Sequence, residues 1–165
     1  MGGFLAILSS RKINAIKVMA FVPQWSIVPS IVPYEHRWQE YRRGIKEVKF
    51  PDLSNAFYED CNYYILMGAH PSERQHTRYF LHHAKKPNVE VIEFSECAHN
   101  VAAYLKEKGL LVDTMNAALL NNLELTNFFL CHNLSVNKKV NNVKYMAWLL
   151  KSKLKHLASN RSPAL

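Results

Sequence analysis

With 165 residues, 48% hydrophobic and 21% charged, the chain has enough apolar content to bury one core, which excludes the disordered, fibrous and low-complexity classes. Three cysteines, at 61, 97 and 131, are far apart and form no C-x-x-C pair, which excludes a disulfide framework and a zinc ribbon. They point instead to reduced thiols and a cytoplasmic setting. The net charge of +8 is local, because seven Lys/Arg lie beyond His132 with no acid among them.

Taken in order, the start Met1–Leu8 resembles a signal peptide only superficially. The positive region that should precede its apolar stretch is absent, and Arg11 and Lys12 come afterwards. Ala6 stands where a myristoylation site needs Ser or Thr. The first dozen residues are expected to form a helix that opens on two glycines, with Phe4, Leu5, Ile7 and Leu8 as its apolar face. The run from Ala15 to Val22 is mostly apolar and ends at Pro23, which predicts a strand buried on both faces of a parallel sheet.

Pro23 to Pro33 is expected to be a loop. Its Trp25, Ile27, Val28 and Ile31 either line a pocket or pack over the sheet. Tyr34 to Lys49, with His36, Arg37, Trp38, Tyr41, Arg42 and Arg43, predicts a short surface helix or lid whose charges face water. Tyr63–Gly68 predicts a second strand, followed by a turn and a helix from Glu73 to about Ala84 with Ser72 as its N-cap. Val89–Phe94, behind Pro87, predicts a third buried strand. A turn then delivers His99, and a helix over 101–108 stops at Gly109. Val112 to about Leu130 is expected to be helical, with Met115, Ala118, Leu119 and Leu123 on one face. Val140 to Leu157 carries an apolar stripe opposite most of its lysines. No apolar run reaches about 18 residues, so no transmembrane helix is expected.

Strands alternating with helices predict an α/β fold: a partial, mostly parallel sheet of about three strands with flanking helices, plus C-terminal helices. In such sheets functional residues gather just past the carboxyl ends of the strands. That rule selects Pro23–Trp25, Gly68–His76 and Cys97–Asn100. Within them, a histidine oriented by a carboxylate forms two-thirds of a nucleophile-activating relay, and the candidates are His99 and Glu73. By spacing alone, Glu73 is equally well explained as a first-turn acid favoured by the helix dipole. His99 has its own ordinary reading, a hydrogen-bonded loop histidine. Cys97 is read as structural. No metal or cofactor is expected: there is no H-E-x-x-H, His70 and His76 lack i, i+4 spacing, and neither G-x-G-x-x-G nor a P-loop occurs.

The order strand, Gly68-x-x-x-x-Glu73, helix, strand, turn-His99, helix resembles the C-terminal half of an α/β-hydrolase. Met1-Gly2-Gly3-Phe4 resembles the residues directly after the serine in a Gly-x-Ser-Met-Gly-Gly nucleophile elbow, and Ala20–Gln24 resembles the next strand and loop. The resemblance covers residues 1–123, taken as a partial α/β-hydrolase-like domain. Residues 124–165 are taken as a helical basic extension. It implies His99 as general base, Glu73 as its acid partner, and a serine esterase acting on a small-molecule or glycan ester. There are two departures: the acid position is more often Asp, and no Ser precedes Met1. The expectation is therefore a fragment without its nucleophile, inactive as given. The alternative is a non-catalytic binding or assembly protein with a surface polysaccharide or another anionic partner. A third reading gives the work to the basic tail, touching nucleic acid or an anionic membrane. Self-association through an exposed apolar sheet edge is also expected.

Overall fold

The computed structural model describes residues 2–33, 35–37, 39–83, 86–120 and 125–137. Helix α1 (Gly2–Ser9) leads into strand β1 (Lys17–Phe21), and a long loop carries the single-turn helix α2 (Gln39–Arg43). Strand β2 (Asn62–Gly68), helix α3 (Pro71–His83) and strand β3 (Val89–Phe94) follow as a βαβ unit. Helices α4 (Val101–Glu107), α5 (Leu111–Leu119) and α6 (Leu125–Cys131) come next, and β4 (Val136–Asn137) closes the described chain. The expected α/β architecture is therefore present.

The sheet order is β1-β2-β3-β4. The first three strands are parallel, with Met19 opposite Tyr64 and Tyr64 opposite Glu90. β4 pairs antiparallel with the end of β3, an addition too short to announce itself in the sequence. Apolar side chains on both faces of β2 explain why it lies centrally. Tyr63, Ile65 and Met67 enter one cluster with Ile7, Trp25, Phe57 and Phe80. Tyr64 and Leu66 enter another with Ile92, Phe94, Val101, Leu105, Ala118, Leu125, Phe129 and Leu134. A strand covered on both faces needs no alternation, which is why 63–68 reads as a continuous apolar run.

Several local expectations need correction. β1 lies at one edge of the described sheet and is buried unevenly: Val18 and Ala20 are fully buried in the first cluster, whereas Lys17, Met19 and Phe21 are half-buried, Met19 and Phe21 packing against the second. Ser72 lies inside α3 instead of capping it. Pro71 takes the first helical position, which suits a residue without an N–H, and His70 does the capping. The His70 carbonyl accepts the Glu73 N–H at 2.9 Å, and its Nδ1 accepts the Ser72 N–H at 3.2 Å. The expected helix over 112–130 is described as two, α5 and α6. On α5 the buried residues are Thr114, Ala117 and Ala118, while Met115 is exposed. Small side chains let that helix approach the sheet closely, and this sets its rotation ahead of the larger residues. Trp25 packs within the core, stacked on Phe57 and Tyr79 with ring centroids 6.3 and 5.9 Å apart. The stripe expected over 140–157, and the basic tail it belongs to, lie outside the described residues. No described helix is long and apolar enough to cross a membrane.

Candidate functional site

Strands β2 and β3 deliver the two predicted residues from neighbouring carboxyl ends. After β2 the chain turns at Gly68 and enters α3, which places Glu73 in the first helical turn. After β3 a short turn carries His99, and Asn100 then caps α4 by accepting the Ala103 N–H at 3.3 Å. The two turns are laced together. Ala69 N–H donates to the Cys97 carbonyl at 2.7 Å and His70 N–H to the Ala98 carbonyl at 3.0 Å. Glycine is required at 68 for this approach, because a Cβ there would stand 2.2 Å from the Ala98 carbonyl oxygen.

The lacing brings Glu73 Oε1 within 2.6 Å of His99 Nδ1. The carboxylate side chain is fully buried, whereas that of His99 is 61% exposed. Nδ1 must carry the proton to donate to a carboxylate, which leaves Nε2 as the basic nitrogen. An acid held inside and an imidazole reaching out is the geometry a general base requires. The other carboxylate oxygen, Glu73 Oε2, is buried without a partner among the described residues.

Three further residues complete the cluster; His76 falls in the Gly68–His76 stretch, whereas the sequence does not single out Glu35 and Arg37 as a site. Arg37 donates through Nη1 to the same Glu73 Oε1 that binds His99, and through Nε and Nη2 to Glu35. Glu35 is 1% exposed, so the expectation that charges in 34–49 face water fails at the residues nearest the site. Its Oε2 also accepts from His76 Nε2 at 2.9 Å, and His76 Nδ1 accepts the Trp25 N–H at 3.0 Å. That backbone N–H fixes the His76 tautomer, because only an unprotonated Nδ1 accepts it. Burial pushes the Glu35 carboxyl upward, but hydrogen bonds from Arg37 and His76 outweigh it and hold the group well below the usual carboxylate range. Burial lowers Arg37, and its two carboxylate partners more than reverse that. The result is a chain of contacts from the Trp25 backbone through His76, Glu35 and Arg37 to Glu73 and His99.

Beside His99 lies a pocket of 340 Å³ with an apolar wall of Phe21, Val22, Val101 and Ala102. Gln24, Arg37, His99 and Asn100 supply its polar part. Val22 turns the chain away from β1 with φ at 46°, an unusual conformation for a β-branched residue and one that recurs at functional sites. Burial pushes the Cys97 thiol up, the opposite of what a nucleophilic thiolate needs. Nearby hydroxyls are committed elsewhere: Ser72 Oγ lies 2.6 Å from His70 Nδ1 and Ser95 Oγ donates to the Ser135 carbonyl at 2.9 Å. His70 thus caps α3, and His76 bridges the Trp25 backbone and Glu35. Among the described residues, no three His, Cys, Asp or Glu side chains are grouped to hold a metal ion. No protein-family model, curated protein or solved structure matches the chain.

Proposed function

We propose that the chain supplies the acid–base half of a carboxylic-ester hydrolase of the α/β-hydrolase type. His99 is its general base and Glu73 the partner that orients and stabilises it. The observation that carries the reading is the 2.6 Å contact between a fully buried carboxylate and an exposed imidazole, at the carboxyl ends of adjacent parallel strands. In the reaction, His99 Nε2 takes the proton of a serine hydroxyl as its oxygen attacks the ester carbonyl. The imidazolium then gives that proton to the leaving alcohol, and water hydrolyses the acyl-enzyme by the same route. Glu73 stays ionised throughout and stabilises the imidazolium. Arg37, bonded to the same oxygen, is a positioning residue that moderates this support.

The serine is proposed to come from the turn entering α1. What supports this is the closeness of that helix start to the site. A Cβ at Gly3 would lie 3.0 Å from Pro23 Cβ and 3.4 Å from Ala20 Cβ, at the carboxyl end of β1. The test is fluorophosphonate labelling of the protein expressed with the residues encoded in frame ahead of Met1. Labelling that requires both a Gly-x-Ser serine there and His99 supports the proposal. A stop codon in that frame, or labelling indifferent to His99→Ala, refutes it.

A further inference from the structure

Arg37 offers the pocket more than the bonds that tie it to its two acids. A guanidinium carries five N–H groups in one plane. Nε donates to Glu35 at 2.9 and 3.0 Å, Nη2 gives one N–H to Glu35, and Nη1 gives one to Glu73. Nη1 also stands 3.4 Å from His99 Nδ1, but that nitrogen carries its own proton toward Glu73 and so accepts nothing. One N–H on each Nη is therefore left without an acceptor among the described residues. These groups are within reach of a ligand, because Arg37 lines the pocket and its side chain is 31% exposed. Its charge, by contrast, is already compensated. The side chains of Glu35 and Glu73 are fully buried against it, so the group holds one positive and two negative charges. An anion about 3 Å from Arg37 would lie about 5–6 Å from each carboxylate, and attraction to one cation is offset by repulsion from two anions. Nothing then compensates for the water that the anion loses, whereas an uncharged oxygen gains the hydrogen bonds without that penalty.

We propose that Arg37 makes this pocket selective for an uncharged ester with a short acyl chain, bound through its carbonyl oxygen. That oxygen accepts from the remaining N–H groups of Arg37, and the acyl chain lies against Phe21, Val22, Val101 and Ala102. At 340 Å³ the pocket is at the small end of ligand sites, which keeps the chain short. The same electrostatics disfavour the carboxylate that hydrolysis leaves, and so favour its release. The proposal rests on the hydrolase reading only in taking this pocket as the substrate site.

The test is binding to the full chain, which requires neither a nucleophile nor a basic His99 and so fails independently of the relay. At about pH 8, where a carboxylic acid is ionised, the nitrogen-15-labelled protein is titrated with pentan-2-one and with butanoate. The two probes share a propyl group and differ by a methyl in place of an anionic oxygen. The ketone stands for the ester carbonyl and cannot be hydrolysed. It is expected to bind about tenfold more tightly, because the anion is desolvated without compensation, and it should shift the Arg37 side-chain resonances. Glu73→Gln separates this from the general aversion of an apolar wall to charge. His99 and Arg37 both donate to Glu73 Oε1, so an amide oxygen there keeps both bonds while the charge is removed. With one carboxylate gone the anion is attracted, and the preference should move at least about tenfold toward butanoate. Wild-type affinity for butanoate equal to or above that for the ketone, or binding of neither, overturns the proposal. So does a ketone complex that leaves the Arg37 resonances in place, or a preference unchanged in Glu73→Gln. If Glu73→Gln does not fold, the wild-type preference and the Arg37 shifts decide.

Discussion

Replacing Arg37 by methionine keeps most of the aliphatic stem and removes the cation that joins two buried carboxylates. Glu35 and Glu73 have fully buried side chains, while that of Arg37 is 31% exposed. Breaking a fully buried pair costs about 3–5 kcal/mol, and partial exposure of the cation discounts this to about 2–3 kcal/mol at neutral pH. The pH dependence comes from the Glu35 shift. Its folded-state value lies below the unfolded value of 4.5, so wild-type Glu35 contributes stability that is present above that value and lost as pH falls below it. Without Arg37 the balance moves toward burial, which raises the carboxyl, so stability in the variant declines as pH rises through the raised value. The deficit should therefore be full at about pH 7 and shrink toward about pH 4. Urea unfolding of both proteins at the two pH values measures it. An equal deficit at both, or one under about 0.5 kcal/mol at neutral pH, refutes the cluster as described.

Other consequences are equally open to measurement. Gly68→Ala forces a Cβ into the Ala98 carbonyl. It should cost at least about 2 kcal/mol in thermal unfolding and shift the amide resonances of 97–100 more than those of α5. Arg74 and Glu93 form a buried pair 3.4 Å apart. Each single change to an apolar residue should destabilise by about 3 kcal/mol, and the double change should cost less than the sum in a double-mutant cycle. β1 lies at one edge of the described sheet, and Ile13 and Ile16 beside it are 68% and 73% exposed. Sedimentation should show self-association that Ile13→Lys with Ile16→Lys reduces, and a concentration-independent monomer in the wild type would dismiss it.

The architecture was legible because burial on two faces leaves a plain mark. Tyr63–Met67 and Val91–Phe94 can only be central strands, and the rule that sites collect past parallel strand ends then isolates Glu73 and His99. Glu35 and Arg37 left no such mark. Charged residues in a loop look solvated, and their inward turn depends on contacts across 36 to 41 positions of sequence. The local signal available was Glu35-x-Arg37 in a segment without helical periodicity. Side chains two apart in an extended loop reach the same neighbour, whereas a solvated helix face would space its pairs three or four apart. The rotation of α5 escaped for a different reason. Periodicity ranks positions by hydrophobicity, whereas Thr114, Ala117 and Ala118 are buried because they are small.

The central claim is that Glu73 holds His99 with its proton on Nδ1 and its basic Nε2 outward. A two-bond proton–nitrogen correlation spectrum reads this directly at about pH 8, above the ordinary imidazole range of about 6.5. The wild type should show an Nδ1-protonated, Nε2-bare ring, and Glu73→Leu a mixture of tautomers. A wild-type His99 protonated on Nε2, or a tautomer unchanged by Glu73→Leu, would contradict the claim.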